Sequence, residues 1–511
     1  MINRSISTMK YQMWHVVCVL FAISVLQGCV LADYWSERET LIQNDKNYGL
    51  GATLKLTEKE QRVNDVLMRY KLSEYDAGLK DLDTFLAAQH YFKVKDKIQY
   101  SKVFDIIKRI PKGASLHSHD EALVSEDYLF SLTYRDNLYG CIDGDDFKLN
   151  FFQKNNISDS CNWKLLGDMR KSDAKFDHFL KSKLTIITDD PDKSYPDINK
   201  VWKCFQGIFK SIMGLITYKP VFEDYFYRAL KELYDDNIKY MELRGFLPQV
   251  YDLEGNIYNQ EEVVGIYANV LKRFQKDYPD FFGAKFIYAP SRHIDNSTMD
   301  TFVETFRKIK KLYPDFVAGF DLVGQEDMGQ PLTAFLSQLI EIKNLGAKFF
   351  FHAGETNWYG ETDLNLFDAI LLNSTRIGHG YAVLKHPLAA KYVKEKQIAL
   401  EICPISNQVL KLVTDLRNHP GNLLIANGFP VVIASDDPSF WGAKGLSDDW
   451  YMAFMGMTSR ETDLRFLKQL AINSIVYSSL DDIQKNAALS LWQNDWNVFI
   501  ENMLIRFRHR N

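Results

Sequence analysis

Eight short β-like runs recur between Gly113 and Pro438, and amphipathic stretches separate most of them. The runs are Ser115 to His119, Tyr240 to Arg244, Phe286 to Ala289, Gly319 to Val323, Lys348 to His352, Arg376 to His379, Ala399 to Cys403 and Val431 to Ser435. Between them, stretches such as Glu262 to Lys276, Met299 to Leu312, Leu332 to Lys343 and His386 to Lys396 place apolar residues three and four apart, the spacing of a helix with one buried face. Strand, helix, strand repetition calls for a parallel sheet. Eight such units close on themselves, so the expected fold is α/β, a (β/α)8 TIM barrel. The gap between the first and second runs is longer than the rest and holds a candidate inserted module over about residues 128–188, before helical sequence resumes near Asn199.

The ends of four runs carry the chemistry. Successive side chains of a strand point to opposite faces, so His117 and His119 look the same way and can grip one ion. In a closed barrel the C-terminal ends of the strands converge on one site, which lets His352 and Asp436 join them. Three imidazoles and a carboxylate suit one zinc ion per chain, at about 2.0–2.2 Å, with a position left for water. Glu355 follows His352 in a glycine-containing turn and is a candidate general acid, since a closed, partly apolar pocket favours its neutral form. His379, between Gly378 and Gly380, is a candidate base or electrostatic partner. Asp436 and Asp437, if both are extended, point apart, one to the metal and one to a substrate. Taken singly each residue has a plainer explanation, a hydrogen-bonded core histidine or a surface carboxylate. Four of the 11 histidines at barrel-strand ends argue for a site.

Composition restricts the setting. A chain of 511 residues, 46% apolar and 25% charged, is ordinary globular material, large enough for a barrel and additions. A formal charge of −5 gives no general reason to expect nucleic acid as a partner. The start reads as a secretory signal over residues 1–32: Arg4 and Lys10 precede the apolar run Trp14 to Leu26, and Val30, Leu31 and Ala32 offer a cleavage point. The alternative is a retained anchor, but about 20 apolar residues are needed to span a bilayer, so no membrane span is expected once the signal is removed. Residues 33–110 show helical spacing, with Thr57 to Glu60 a capping-box pattern, and form an expected helical arm before a barrel region over 111–511. Such an arm either covers the barrel or makes a homodimer. Cys141 and Cys161 flank a polar, loop-like stretch, which favours a bridge between them, the alternative being two free surface thiols. Sequons at Asn156, Asn296 and Asn373 fit an exported glycoprotein.

Several longer blocks carry a resemblance. They are Ile110-Pro-Lys-Gly-Ala-Ser-Leu-His-Ser-His-Asp120, Tyr240-Met-Glu-Leu-Arg244, Gly319-Phe-Asp-Leu-Val-Gly-Gln-Glu-Asp327, Phe350-Phe-His-Ala-Gly-Glu-Thr356, Thr375-Arg-Ile-Gly-His-Gly380, Glu401-Ile-Cys-Pro-Ile-Ser-Asn-Gln-Val-Leu410 and Ser435-Asp-Asp-Pro438. Together they closely resemble the adenosine deaminase-related growth factors, a secreted family, over essentially the whole chain after the signal. The resemblance implies zinc at His117, His119, His352 and Asp436, a proton donor at Glu355 and a proton acceptor at His379. It further implies substrate contacts from Asp120 to ribose, from Gly324 and Asp437 to purine nitrogens, and from Trp202 and the segment running to Phe209. The implied reaction converts adenosine or 2′-deoxyadenosine and water to the inosine form and ammonia. The resemblance also implies a homodimer and a receptor- or glycan-binding role for the insertion. Two departures stand out: Pro290-Ser291 precedes Arg292 where the family pattern has Asp-His, which removes a nucleoside-contacting histidine and leaves Ser291 as the candidate contact, and Gln325 replaces another histidine.

Rival readings are weaker. A two-metal amidohydrolase needs a bridging lysine on the fourth strand, where this chain has Gly319-Phe-Asp-Leu-Val323. The cytidine-deaminase zinc signature is missing from the sequence. A deaminase of adenosine monophosphate shares the barrel logic but is expected inside cells, and a deaminase with a shifted nucleoside preference differs only in its pocket. From another class comes a secreted growth-factor-like binding protein in which deamination is weak or incidental.

Overall fold

The computed structural model describes residues 2–144, 146–158 and 161–508. Eight parallel strands form its centre: Gly113–His119, Ile238–Gly245, Gly283–Tyr288, Val317–Phe320, a fifth strand in two pieces (Lys348–Phe349 and His352–Ala353), Arg376–His379, Ala399–Ile402 and Val431–Ile433. The broken fifth strand is where the structure departs from the expected continuous run. Its first half pairs with the fourth strand and its second half with the sixth, so Phe350 and Phe351 join two arcs of sheet. A parallel bridge between Ser118 and Asp436 closes the ring. Helices cover the outside, and two of them begin where the sequence supplies a cap: Asn259 and Glu262 form a capping box at Gln260–Asp277, and Asp295 caps Asn296–Leu312.

The arm divides in two. A helix over Ile2–Lys46 contains the expected signal segment, and its described side chains, Tyr34, Trp35 and Leu41 among them, are exposed. From Glu58 onward the arm is docked on its own barrel. Thr57 and Glu60 make the capping box that starts Glu58–Lys80. Val63 and Leu67 are buried beneath that helix. Glu60 Oε1 accepts from Trp496 Nε1 at 2.7 Å, and the buried Lys71 ammonium donates to Thr458 Oγ1 and to the carbonyls of Ser459 and Thr462. A charge buried so deeply is tolerated because each of its three donors has an acceptor. Among the described residues, no helix is long and apolar enough to cross a membrane.

The stretch around the cysteines is not the loop its polar composition suggested. Leu138–Asp143 and Asp146–Phe151 pair antiparallel, with Lys164–Leu165 on the other edge of Leu138–Asp143. The two cysteines are bridged with their Cα atoms 6.3 Å apart. Strand alternation explains why periodicity hid here: Phe147, Leu149 and Phe151 face inward while Asp146, Lys148 and Asn150 are more exposed, so the mean polarity is high. The buried side packs on the helix Ile198–Ile216, where Gly214 lies so close to Asn150 that a Cβ would sit 2.2 Å from the Leu149 carbonyl oxygen. Cys204 lies on that helix and Cys403 just past the seventh strand, and both are free thiols.

Candidate metal and catalytic site

The C-terminal ends of the strands gather His117, His119, His352 and Asp436, whose ligand atoms all lie within 4.8 Å of one another. Asp436 Oδ1 is 3.1 Å from both His117 Nε2 and His119 Nε2. The His352 ring centroid stands 4.6 Å from that of His117 and 5.3 Å from that of His119. Cys403 forms a second possible group with His117, His379 and Asp436. It is the poorer choice, because burial pushes its thiol well up in pKa and a thiol binds metal only as thiolate. The donor set of three neutral-capable imidazoles and a carboxylate fits one zinc ion.

What holds these donors in place lies below them and is wholly buried. His117 Nδ1 is 2.7 Å from Glu401 Oε2, and His352 Nδ1 is 2.7 Å from Asp321 Oδ2, so each ring turns its Nε2 toward the site. One guanidinium links the two pairs: Arg244 donates to Asp321 at 2.9 Å and to Glu401 at 2.6 Å. Arg376 donates to Glu401 at 2.5 Å and forms an ion pair with Glu242, 2.7 Å away. Burial alone would push the Glu401 carboxyl up, but Arg244 and Arg376 hold it well below its usual range. Burial acts the same way on Asp321, and His352 and Arg244 hold it ionised. Sequence reasoning assigned none of these five residues a role. Their signal was present in Glu242 and Arg244, two apart on one strand and therefore turned to the same crowded interior.

His379 and Asp436 both sit in the left-handed backbone region, at φ 60° and 59°. For residues other than glycine this costs about 1–3 kcal/mol each, a form of strain that collects at functional sites. The expectation that Asp436 and Asp437 diverge because both are extended is therefore corrected. The chain turns at Asp436 and leaves the strand, and Asp437 stands just before the short helix Pro438–Trp441 without a side-chain bond to it.

A cavity of about 560 Å³ opens above these groups. The residues expected to meet substrate, Asp120, Trp202, Phe209, Ser291, Gly324 and Asp437, all line it, as do His119, His352, Asp436, Glu355 and His379. His117 is closed off behind them. One wall is the helix Ile198–Ile216, whose Trp202, Phe205 and Phe209 form an edge-to-face series that continues into Phe440. The opposite side is acidic. Burial pushes the Asp120 and Glu121 carboxyls up, and Tyr267 donates to Asp120 Oδ2 at 2.6 Å. The expected gap left by Pro290 and Ser291 is filled differently: His293, two positions on, lines the cavity beside Gly324. Gln325 is turned away, its amide donating to Asn199 Oδ1 at 2.8 Å.

Glu355 is buried, and burial followed by the nearby Asp436 carboxylate raises its pKa well above the usual value, which favours its protonated form. Its Oε1 is 3.5 Å from His379 Nε2. The turn that carries it is fixed by Glu326, which accepts from the backbone N–H groups of Gly354 and Glu355 at 3.0 and 2.6 Å. Glu326, also within the quoted motifs, was another residue without an expected role.

Family models described as Adenosine deaminase and as Adenosine/AMP deaminase N-terminal match residues 184–494 and 14–107. The chain is 49% identical over 465 residues to an adenosine deaminase of Phlebotomus duboscqi, covering 90% of each chain. It is 42% identical over 476 residues to adenosine deaminase 2 of Homo sapiens, covering 91% of this chain and 93% of that one. Among solved structures, the N6-mAMP deaminase of Arabidopsis superimposes with a TM-score of 0.56 at 18% identity, over 76% of this chain and 99% of that one, a likeness of fold.

Proposed function

Because the chain belongs to the adenosine deaminase family, in the branch of the growth-factor-related type-2 enzymes, we propose that it is a secreted, zinc-dependent hydrolase of adenosine and 2′-deoxyadenosine. The observation that carries this reading is the convergence of His117, His119, His352 and Asp436 with a protonated Glu355 in one cavity. Those four residues would hold a zinc ion, which when bound would acidify a water molecule toward neutral pH. The chain's own groups do the rest. Glu355 brings a proton to a ring nitrogen of the purine, which makes the adjacent carbon electrophilic; as the water oxygen bonds to that carbon His379 takes a proton from the water and passes it to the amino nitrogen, the C–N bond breaks to release ammonia, and the proton of the new hydroxyl returns to Glu355. The aromatic wall of Trp202 and Phe209 covers the base, and Asp120 and Ser291 take the sugar hydroxyls. Asp437 Oδ1 is buried without a hydrogen-bond partner in the protein, which suits it to a purine nitrogen.

Export rests on the signal pattern and agrees with the Cys141–Cys161 bridge and with exposed sequons at Asn156, Asn296 and Asn373. A homodimer is proposed through the arm, whose exposed Tyr34, Trp35 and Leu41 have no cover on their own chain. Light scattering that finds only monomer at micromolar concentration would exclude it. The function itself is tested by incubating purified protein with adenosine and with its 5′-phosphate. Conversion of adenosine to inosine, with the phosphate a poor substrate, is expected. Inert protein with zinc bound, or preference for the phosphate, would overturn the reading.

A further inference from the structure

The turn that follows His119 is held from outside the barrel by two buried phenols. Tyr225, on the helix Lys219–Asp235, donates to the carbonyl of Glu121 at 2.7 Å and accepts from the N–H of Leu123 at 3.1 Å. Those bonds fix the backbone of the turn. Tyr267, on the helix Gln260–Asp277, donates instead to a side chain, reaching Asp120 Oδ2 at 2.6 Å. The backbone of Asp120 is tied down separately, its N–H donating to the Arg244 carbonyl at 2.8 Å. Asp120 therefore has a fixed root, and Tyr267 fixes its tip.

Packing leaves the Tyr267 ring little freedom. It stacks on Phe286 with centroids 5.7 Å apart, and it meets Phe222 and Phe226 at 4.8 Å each. A hydroxyl carried into such apolar surroundings needs a partner, and Asp120 supplies it. The space around the carboxylate is cut to the same arrangement. Gly245, at the end of the second strand, lies so close that a Cβ there would stand 2.3 Å from Asp120 Oδ2. An ionised carboxylate offers about four acceptor positions. The phenol uses one of them and sets the direction of the rest toward the cavity that Asp120 lines.

We propose that Tyr267 is a positioning residue for nucleoside selection: its hydroxyl, reaching in from an outer helix, aims the Asp120 carboxylate at one sugar hydroxyl of the substrate. This rests on the proposed deaminase function, in which Asp120 takes the sugar. A carboxylate free to swing would lose that freedom when the nucleoside binds, whereas one already held does not, so the benefit appears as affinity. The sugar lies away from the reacting carbon and is held alike before and during the reaction. Loss of the contact therefore raises KM and leaves kcat in place.

Steady-state kinetics of the zinc-loaded wild type and of Tyr267→Phe, on adenosine and on its 2′-, 3′- and 5′-deoxy forms, test this. The substitution keeps the ring and its contacts and removes only the hydroxyl. KM for adenosine should rise about 3- to 10-fold, with kcat and zinc content within about 2-fold of wild type. On the one deoxy form that lacks the hydroxyl Asp120 reads, the Tyr267→Phe penalty should shrink below about 2-fold, and Asp120→Asn should single out the same form. A merely structural loss would weaken all four substrates alike; that result, or an unchanged KM for adenosine, would overturn the proposal. Should Tyr267→Phe fail to fold, Gly245→Ala decides, because its methyl group presses on the same carboxylate oxygen. It should raise KM with the same selectivity, and wild-type KM on every substrate would overturn the proposal. An active wild type with an indifferent Tyr267 sinks this inference alone, whereas wild-type protein that deaminates none of the four sinks the proposed function and this inference with it.

Discussion

Single side chains here are set by what lies behind them. Burial beside Asp436 raises the pKa of Glu355 and favours its protonated form, and Glu326 aims it by tying down its backbone. Glu355→Gln keeps the size and removes the acidic proton. Zinc content and nucleoside affinity should hold while kcat falls about 10²- to 10⁴-fold, measured by inosine formation. A loss of less than about 3-fold, near 0.7 kcal/mol in the barrier, would remove Glu355 from the acid role. His293 shows how one residue's displacement changes a pocket: the imidazole missing at Pro290 and Ser291 returns from two positions later, beside Gly324. His293→Ala is expected to raise KM for adenosine about 3- to 10-fold, the worth of one hydrogen bond, with kcat little changed. Unchanged KM in steady-state assays would mean that His293 only borders the cavity.

At the scale of elements, the strands bring the donors together and a hidden layer of charge fixes their angles. Asp321→Asn breaks the bond that orients His352 and should weaken zinc binding about 10- to 100-fold, measured by competition with a chelator. Wild-type affinity would show that the ring is held by packing alone. The inserted sheet acts from the other side. It backs the helix Ile198–Ile216 while Trp202, Phe205 and Phe209 of that helix wall the cavity, so Cys161→Ser should cost about 2–4 kcal/mol of local stability and lower secretion yield more than kcat. Hydrogen exchange that stays as slow in residues 138–165 of the variant as in wild type would contradict this. Much of this was legible in the sequence. His117 and His119 two apart, and the returning apolar runs, follow from strand periodicity, and all eight strands lie where the runs are. The break at Phe350 and Phe351 was not legible, because it arises from pairing with two different neighbours. The hairpin at Cys141 was masked by its polar outer face.

For the whole molecule, the barrel supplies one face where every strand end can contribute, the docked part of the arm seals part of the outside, and the insertion shapes the wall of the mouth. Five acidic residues line the cavity, Asp120, Glu121, Glu355, Asp436 and Asp437. Burial raises the pKa of Asp120, Glu121, Glu355 and Asp437, while the histidines hold Asp436 low, so Asp436 is the member of the group best suited to a cation. The account therefore stands on one ion held by four named residues. Elemental analysis of the purified protein tests this most directly, run on wild type and on Asp436→Ala side by side. One zinc per chain in the wild type, lost in the variant along with inosine formation, is the predicted result; two metal ions per chain, or full zinc retention in Asp436→Ala, would contradict it.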